Sequence, residues 1–214
     1  MRAALHAMLL APSPPMSVRF DPKARLDQFP ILQALRERVL VFDGAMGTQI
    51  QAADLSLDDF RALAGCNALL VETRPEVIEA IHERYFKAGA DVVETNSFGG
   101  LPYVLEEFGI GARAFELNET AAALARRVAD RMSTAERPRF VAGSVGPGTQ
   151  LVTLGHIGVD EMFEGYKVYC KGLLAGGVDC LNIETCQDIL QVKLAVNAAR
   201  DAMAELGREV PIFC

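Results

Sequence analysis

Residues 75–98 run PEVIEAIHERYFKAGADVVETNSF, and this stretch decides the fold class. Its first half carries Val77, Ile78, Ile81, Tyr85 and Phe86 at helical spacing, and Gly89 closes it. Thr73-Arg74-Pro75-Glu76 ahead of it has the form of a capping box. Its second half, Asp91–Phe98, is short, rich in valine and bounded by turn residues, which predicts a buried strand. A helix therefore feeds directly into a strand.

The same alternation recurs outward from this unit. Val39–Phe42, Phe140–Val145, Val178–Thr185 and Val210–Phe213 are the other predicted strands. Predicted helices cover Gly111–Met132, Asp160–Ala175 and a run ending at Gly207 that a weaker box, Thr185-Cys186-Gln187-Asp188, would open. Crossovers of this length join parallel strands, so the class is α/β. Both a doubly wound open sheet and a (β/α)8 barrel satisfy that pattern.

Strand parity favours the barrel, because alternate residues share a face. Val39, Val41 and Asp43 fall together, with Leu40 and Phe42 opposite; Val92, Glu94, Asn96 and Phe98 share a face, as do Cys180, Asn182, Glu184 and Cys186. Asp43, Asn96 and Glu184 thus end three strands with a polar group, as ligand-binding residues do at a barrel mouth. Asp and Asn also serve as plain strand-end caps, so any one position is open to that simpler role. No G-x-G-x-x-G and no G-x-x-x-x-G-K-[ST] occurs, which removes the usual support for a nucleotide-binding open sheet.

Composition narrows the function classes. Half of the 214 residues are hydrophobic, and 28 acidic against 21 basic side chains give a net charge of −7. Without a basic footprint, neither nucleic acid nor an anionic membrane is an expected partner. Five scattered cysteines with no C-x-x-C point to a reducing, cytoplasmic setting rather than a disulfide framework. Cys180 and Cys186 share a strand face, but six extended residues separate them by about 20 Å, too far for one ion. His82 and Tyr166 read as packed helix residues. Residues 1–20, with the apolar run Ala3–Ala11, three prolines and an alternative start at Met16, read as a disordered extension ahead of a domain at 21–214.

The ordered set of motifs carries a resemblance. Phe42-Asp43-Gly44-Ala45-Met46-Gly47-Thr48, the stretch from Arg74 to Asp91, Glu94-Thr95-Asn96-Ser97-Phe98, Ala142-Gly143-Ser144-Val145-Gly146-Pro147 and Ile183-Glu184-Thr185 resemble, in this order, the homocysteine-binding domain of cobalamin-dependent methionine synthase and its homocysteine S-methyltransferase relatives. The resemblance implies a (β/α)8 TIM barrel, of which the first five strands or so would be present. It also implies methyl transfer to the zinc-activated sulfur of L-homocysteine. Methylcobalamin charged from methyltetrahydrofolate would be the donor, and betaine- or S-methylmethionine-dependent enzymes are the nearest alternative.

By the same resemblance, Asp43, Gly44, Asn96, Phe98, Glu184 and Thr185 are the expected substrate-binding residues. Asp43 and Gly44 would meet the substrate through the carboxylate and nearby backbone N–H groups, and Glu184 would pair with the amino group. Asn96 and Phe98 would form the pocket wall, and Gly44 and Gly47 would either allow close backbone approach or serve as plain turn glycines. The family's zinc cysteines lie in a Gly-x-Asn-Cys motif and an adjacent Cys-Cys pair, neither of which occurs up to Cys214. The chain alone is thus expected to bind no zinc and to be inactive, either as part of an enzyme with cobalamin and folate modules or as a non-catalytic half-barrel needing a complementing chain.

Overall fold

The computed structural model describes residues 26–214. The expected extension at 1–20, its boundary and the alternative start at Met16 lie outside the described residues. Four parallel strands form one sheet: β1 (Val92–Glu94), β2 (Phe140–Val145), β3 (Cys180–Ile183) and β4 (Ile212–Phe213). Their spatial order is their chain order, in the register Val92↔Phe140, Ala142↔Cys180 and Leu181↔Ile212. The order never reverses, so the sheet lacks the switch point of a doubly wound fold.

Helices alternate with these strands. They are α1 (Pro30–Glu37), α2 (Met46–Gln51), α3 (Leu70–Thr73), α4 (Pro75–Ala88), α5 (Pro102–Glu106), α6 (Ala114–Met132), α7 (Val159–Ala175) and α8 (Ile189–Leu206). On the outer face of the sheet, Val93, Val141, Val145, Leu181 and Ile183 pack with Ala122, Ala125, Tyr166 and Leu173 of α6 and α7. On the inner face, Val92, Phe140, Ala142 and Cys180 close on Ile31 of α1. Both faces are buried, which is why these strands read as apolar runs. Each fully buried large side chain contributes about 1.5–3 kcal/mol.

The N-terminal ends of the strands are tied by one device used twice. Asp91, just before β1, accepts the Val41 N–H at 3.0 Å, and Asp179, just before β3, accepts the Val141 N–H at 2.7 Å. Arginines neutralise both carboxylates: Arg38 lies 2.8 Å from Asp91 and Arg126 lies 2.7 Å from Asp179. Asp179 thereby joins β3 to β2, and Asp91 joins β1 to the segment that carries Val41.

Several expectations are corrected. Val39–Phe42 is no strand: a single bridge pairs Phe42 with Val92, flanked by Asp43 N–H to Val92 O at 2.9 Å. Its parity is also inverted, since Leu40 packs on the inner cluster while Val41 is 54% exposed. The cause is local. Asp43 folds back so that its carboxylate accepts the Glu94 N–H at 3.1 and 3.2 Å, taking the place a further strand carbonyl would occupy. The chain then turns into α2 rather than continuing the pleat.

Neither capping box forms. The Thr73 hydroxyl donates back to Leu69 O at 3.1 Å, leaving α4 to start at Pro75, while the cap of α8 is Asp188, which accepts the Leu190 N–H at 2.8 Å. The helix ends at Gly89 and Gly207 are as expected, both in the left-handed conformation. Cys66, Cys170 and Cys180 are buried, Cys186 is half-buried and Cys214 is exposed, all as free thiols. His82 is fully buried with neither ring nitrogen hydrogen-bonded, and burial lowers its pKa to about 4.

Candidate functional site

The C-terminal ends of β1, β2 and β3 open into a cavity of about 690 Å³. Asp43, Gly44, Glu94, Asn96, Phe98, Ser144 and Glu184 line it, with the Gly65–Ala68 loop as one wall. Four of the lining side chains, Asp43, Glu94, Glu184 and, farther out, the exposed Glu107, are carboxylates, and none of the lining residues is Lys, Arg or His. The volume lies within the range of small-molecule sites.

Neutral donors hold each acid. Ser144 on β2 donates its hydroxyl to Glu184 at 2.6 Å, and Asn182 on β3 donates to Glu94 on β1 at 2.6 Å. Asp43 takes the Glu94 backbone N–H as described. With no cation to offset them, the acids press on one another. Burial first, then the charges of Glu94 and Glu184, raise the Asp43 pKa to about 7 despite the backbone hydrogen bond. Burial, with the charge of Glu184, also raises that of Glu94.

A buried hydroxyl network stiffens the floor. The Thr95 and Ser97 hydroxyls lie 2.6 Å apart, Ser97 donates to Ser144 O at 2.8 Å, and Thr95 accepts the Ser144 N–H at 3.0 Å. Tyr169 of α7 reaches the Ser97 and Ser144 carbonyls, 2.6 Å from the latter, and accepts the Gly146 N–H at 3.3 Å. Every polar group here has a partner, which is the condition for a buried network to fix one geometry. Gly146 is required by close approach: a Cβ there would sit 2.3 Å from the Phe98 carbonyl oxygen.

Five of the six expected site residues, Asp43, Gly44, Asn96, Phe98 and Glu184, meet in this cavity. Asn96 is buried and spends its amide on the Asn67 carbonyl at 2.9 Å, so it braces the Gly65–Ala68 wall. Phe98 is 48% exposed at the mouth. Thr185 does not line the cavity; it is exposed, with φ of 59°, and turns the chain out of β3 directly after Glu184. A β-branched residue in that region is strained. A Cβ at Gly44 would meet the Tyr85 hydroxyl at 3.3 Å, and Gly47, with open space at its Cβ position, also lines the cavity.

Glu94, Ser144 and Asn182 were not among the expected site residues. Glu94 shares its strand parity with Asn96 and Asn182 shares its with Glu184, and that parity was the signal for them; Ser144 had no such neighbour on β2. Among the described residues, no group of three or more His, Cys, Asp or Glu is placed to hold a metal ion. The cysteines do not fit the thiolate set that the resemblance implies for zinc. Cys170 is fully buried, with its thiol pKa pushed up to about 12, and burial pushes Cys180 up as well.

Comparison with known proteins gives a consistent result. A family model described as homocysteine S-methyltransferase matches residues 40–214. Over 183 residues the chain is 52% identical to the methionine synthase of Mycobacterium tuberculosis and 50% identical to that of Mycobacterium leprae. Those alignments cover 86% of this chain and 15% of each relative. Among solved structures, the homocysteine methyltransferase MmuM from Escherichia coli superposes with a TM-score of 0.67 in its metallated and oxidized forms, at 24% and 25% identity. Each superposition covers 85% of this chain and 64% of MmuM.

Proposed function

The chain belongs to the homocysteine S-methyltransferase family, and we propose that its cavity is the amino-acid half of a homocysteine site. The observation that carries this is the pair Asp43 and Glu184 in a cavity with no cationic side chain. An ammonium entering it would meet carboxylates already oriented by neutral donors. In a site of lowered dielectric, such charge-assisted contacts give both affinity and orientation. Phe98 and the Gly65–Ala68 wall would bound the aliphatic part of the ligand.

In this proposal the four strands belong to the wall of a (β/α)8 barrel. Two features support it: the strands follow one another without reversal, and the acids gather at their C-terminal ends. Methionine synthesis from L-homocysteine is the activity suggested by the names of the curated relatives. Methylcobalamin and methyltetrahydrofolate, or betaine or S-methylmethionine, would supply the methyl group. Zinc would activate the sulfur, but the described residues offer it no ligand set. The free cysteines suit a reducing cytoplasm, and no described helix is long and apolar enough to cross a membrane.

Calorimetry with L-homocysteine tests the site. Asp43→Asn and Glu184→Gln remove charge while nearly keeping shape, and each should weaken binding by about 2–5 kcal/mol. Unchanged affinity in both variants would remove the cavity from consideration as the amino-acid site.

A further inference from the structure

We propose that Glu94 is a specificity-determining residue of this cavity, held by Asn182, and that its charge selects ligands bearing an ammonium over their deaminated counterparts. The inference rests on the homocysteine reading of the site and deepens it. Glu94 is the last residue of β1, on the sheet face where Asn182 of β3 also lies, and it lines the same cavity as Asp43 and Glu184. One of its oxygens accepts from Asn182 across β2 at 2.6 Å. No cationic side chain lines the cavity, and no ion pair with Glu94 occurs among the described residues. A half-buried carboxylate with no cation beside it is costly unless hydrogen bonds hold it. Asn182 lowers that cost without cancelling the charge, because an amide donates a hydrogen bond and carries no net charge.

The consequence is specific in sign. A zwitterionic amino acid brings an ammonium that the Glu94 charge attracts. The same molecule without its amino group brings only a carboxylate, which that charge repels. Removing the charge should therefore move the two ligands in opposite directions. A folding defect would move them together.

The test is titration calorimetry on the full 214-residue chain with two probes, L-homocysteine and 4-sulfanylbutanoate, the deaminated analogue. Glu94→Gln keeps an oxygen for Asn182 and loses the charge. It should weaken L-homocysteine at least tenfold, while 4-sulfanylbutanoate binds equally well or more tightly. Asn182→Ala releases Glu94 and should reduce the preference for L-homocysteine by a smaller factor, with Glu94→Asp between wild type and Glu94→Gln. Parallel loss for both probes in Glu94→Gln, or no change for either, would overturn the proposal. Asp43→Asn and Glu184→Gln, run alongside, separate the two levels. If they abolish the preference and Glu94→Gln does not, Glu94 alone is wrongly assigned. If none of the three alters L-homocysteine binding, the homocysteine reading itself has failed.

Discussion

Asp43 should make homocysteine binding depend on pH near neutrality. Its carboxyl is half-buried beside two other acids, and its pKa rises to about 7. Only the ionised form attracts an ammonium strongly. With a pKa near 7, about one site in eleven is ionised at pH 6 and about ten in eleven at pH 8. If binding follows the ionised fraction, affinity should rise about tenfold across that interval, equivalent to about 1.4 kcal/mol. The sign is fixed: a raised carboxyl pKa means that protonation on the acid side opposes the cationic ligand. Binding at pH 7 should also expel about half a proton per site, because the ligand draws Asp43 fully into its ionised form. Calorimetry at pH 6, 7 and 8, in buffers of differing ionisation enthalpy, reads both quantities. Asp43→Asn supplies the control, since it should bind weakly and lose most of the slope. A flat wild-type profile, or the same slope in Asp43→Asn, would refute the assignment of this titration to Asp43.

Other consequences concern stability. His82 is neutral in the fold with a pKa near 4 against 6.5 when exposed, so the unfolded chain binds more protons as pH falls through 6.5; stability should drop by about 3 kcal/mol by pH 4, and His82→Leu should abolish most of that loss in urea melts at both pH values. Gly146→Ala forces a Cβ to 2.3 Å from the Phe98 carbonyl, and a loss of about 1–3 kcal/mol in chemical denaturation is expected, with a shifted cavity mouth. Tyr169→Phe removes the hydroxyl that the Gly146 N–H reaches at 3.3 Å, leaving buried groups short of a partner, and should lower stability by about 1–3 kcal/mol.

The fold was legible wherever local and tertiary preferences agree. In β2 every residue of Phe140–Val145 is buried, and the strand pairs with β1 along one edge and β3 along the other, so the apolar run and the strand coincide. The glycine stops at 89 and 207 depend on a left-handed backbone alone, which the residue type announces. Val39–Phe42 has the composition of a strand, but pairing is not a property of composition. It depends on a partner, and here the partner strand β1 is three residues long, with Asp43 closing its edge by a side chain. The capping boxes failed for a related reason. Thr73 already belongs to α3, and the carbonyl of Leu69, the residue that caps that helix, takes its hydroxyl, while Thr185 is committed to the turn out of β3.

The site divides along the same line. Asp43, Asn96 and Glu184 were visible as a set, because strand-end capping explains any one of them but not readily three at the same end of successive predicted strands. Glu94 and Asn182 share their parity but satisfy one another at 2.6 Å, between strands that are not hydrogen-bonded neighbours. In one dimension each is a polar residue inside an apolar run, and the distance that joins them spans 88 positions of the chain. Only folding turns the two into a held acid. That also explains the arrangement of charge in the cavity. The arginines are spent at the opposite ends of the strands, on Asp91 and Asp179, where neutralising an acid locks the sheet. At the C-terminal ends the acids are held by Ser144, Asn182 and a backbone N–H, donors that orient a carboxylate and leave its charge for a ligand. The sheet thus carries paired acids where it needs stability and unpaired ones where it can bind a cation.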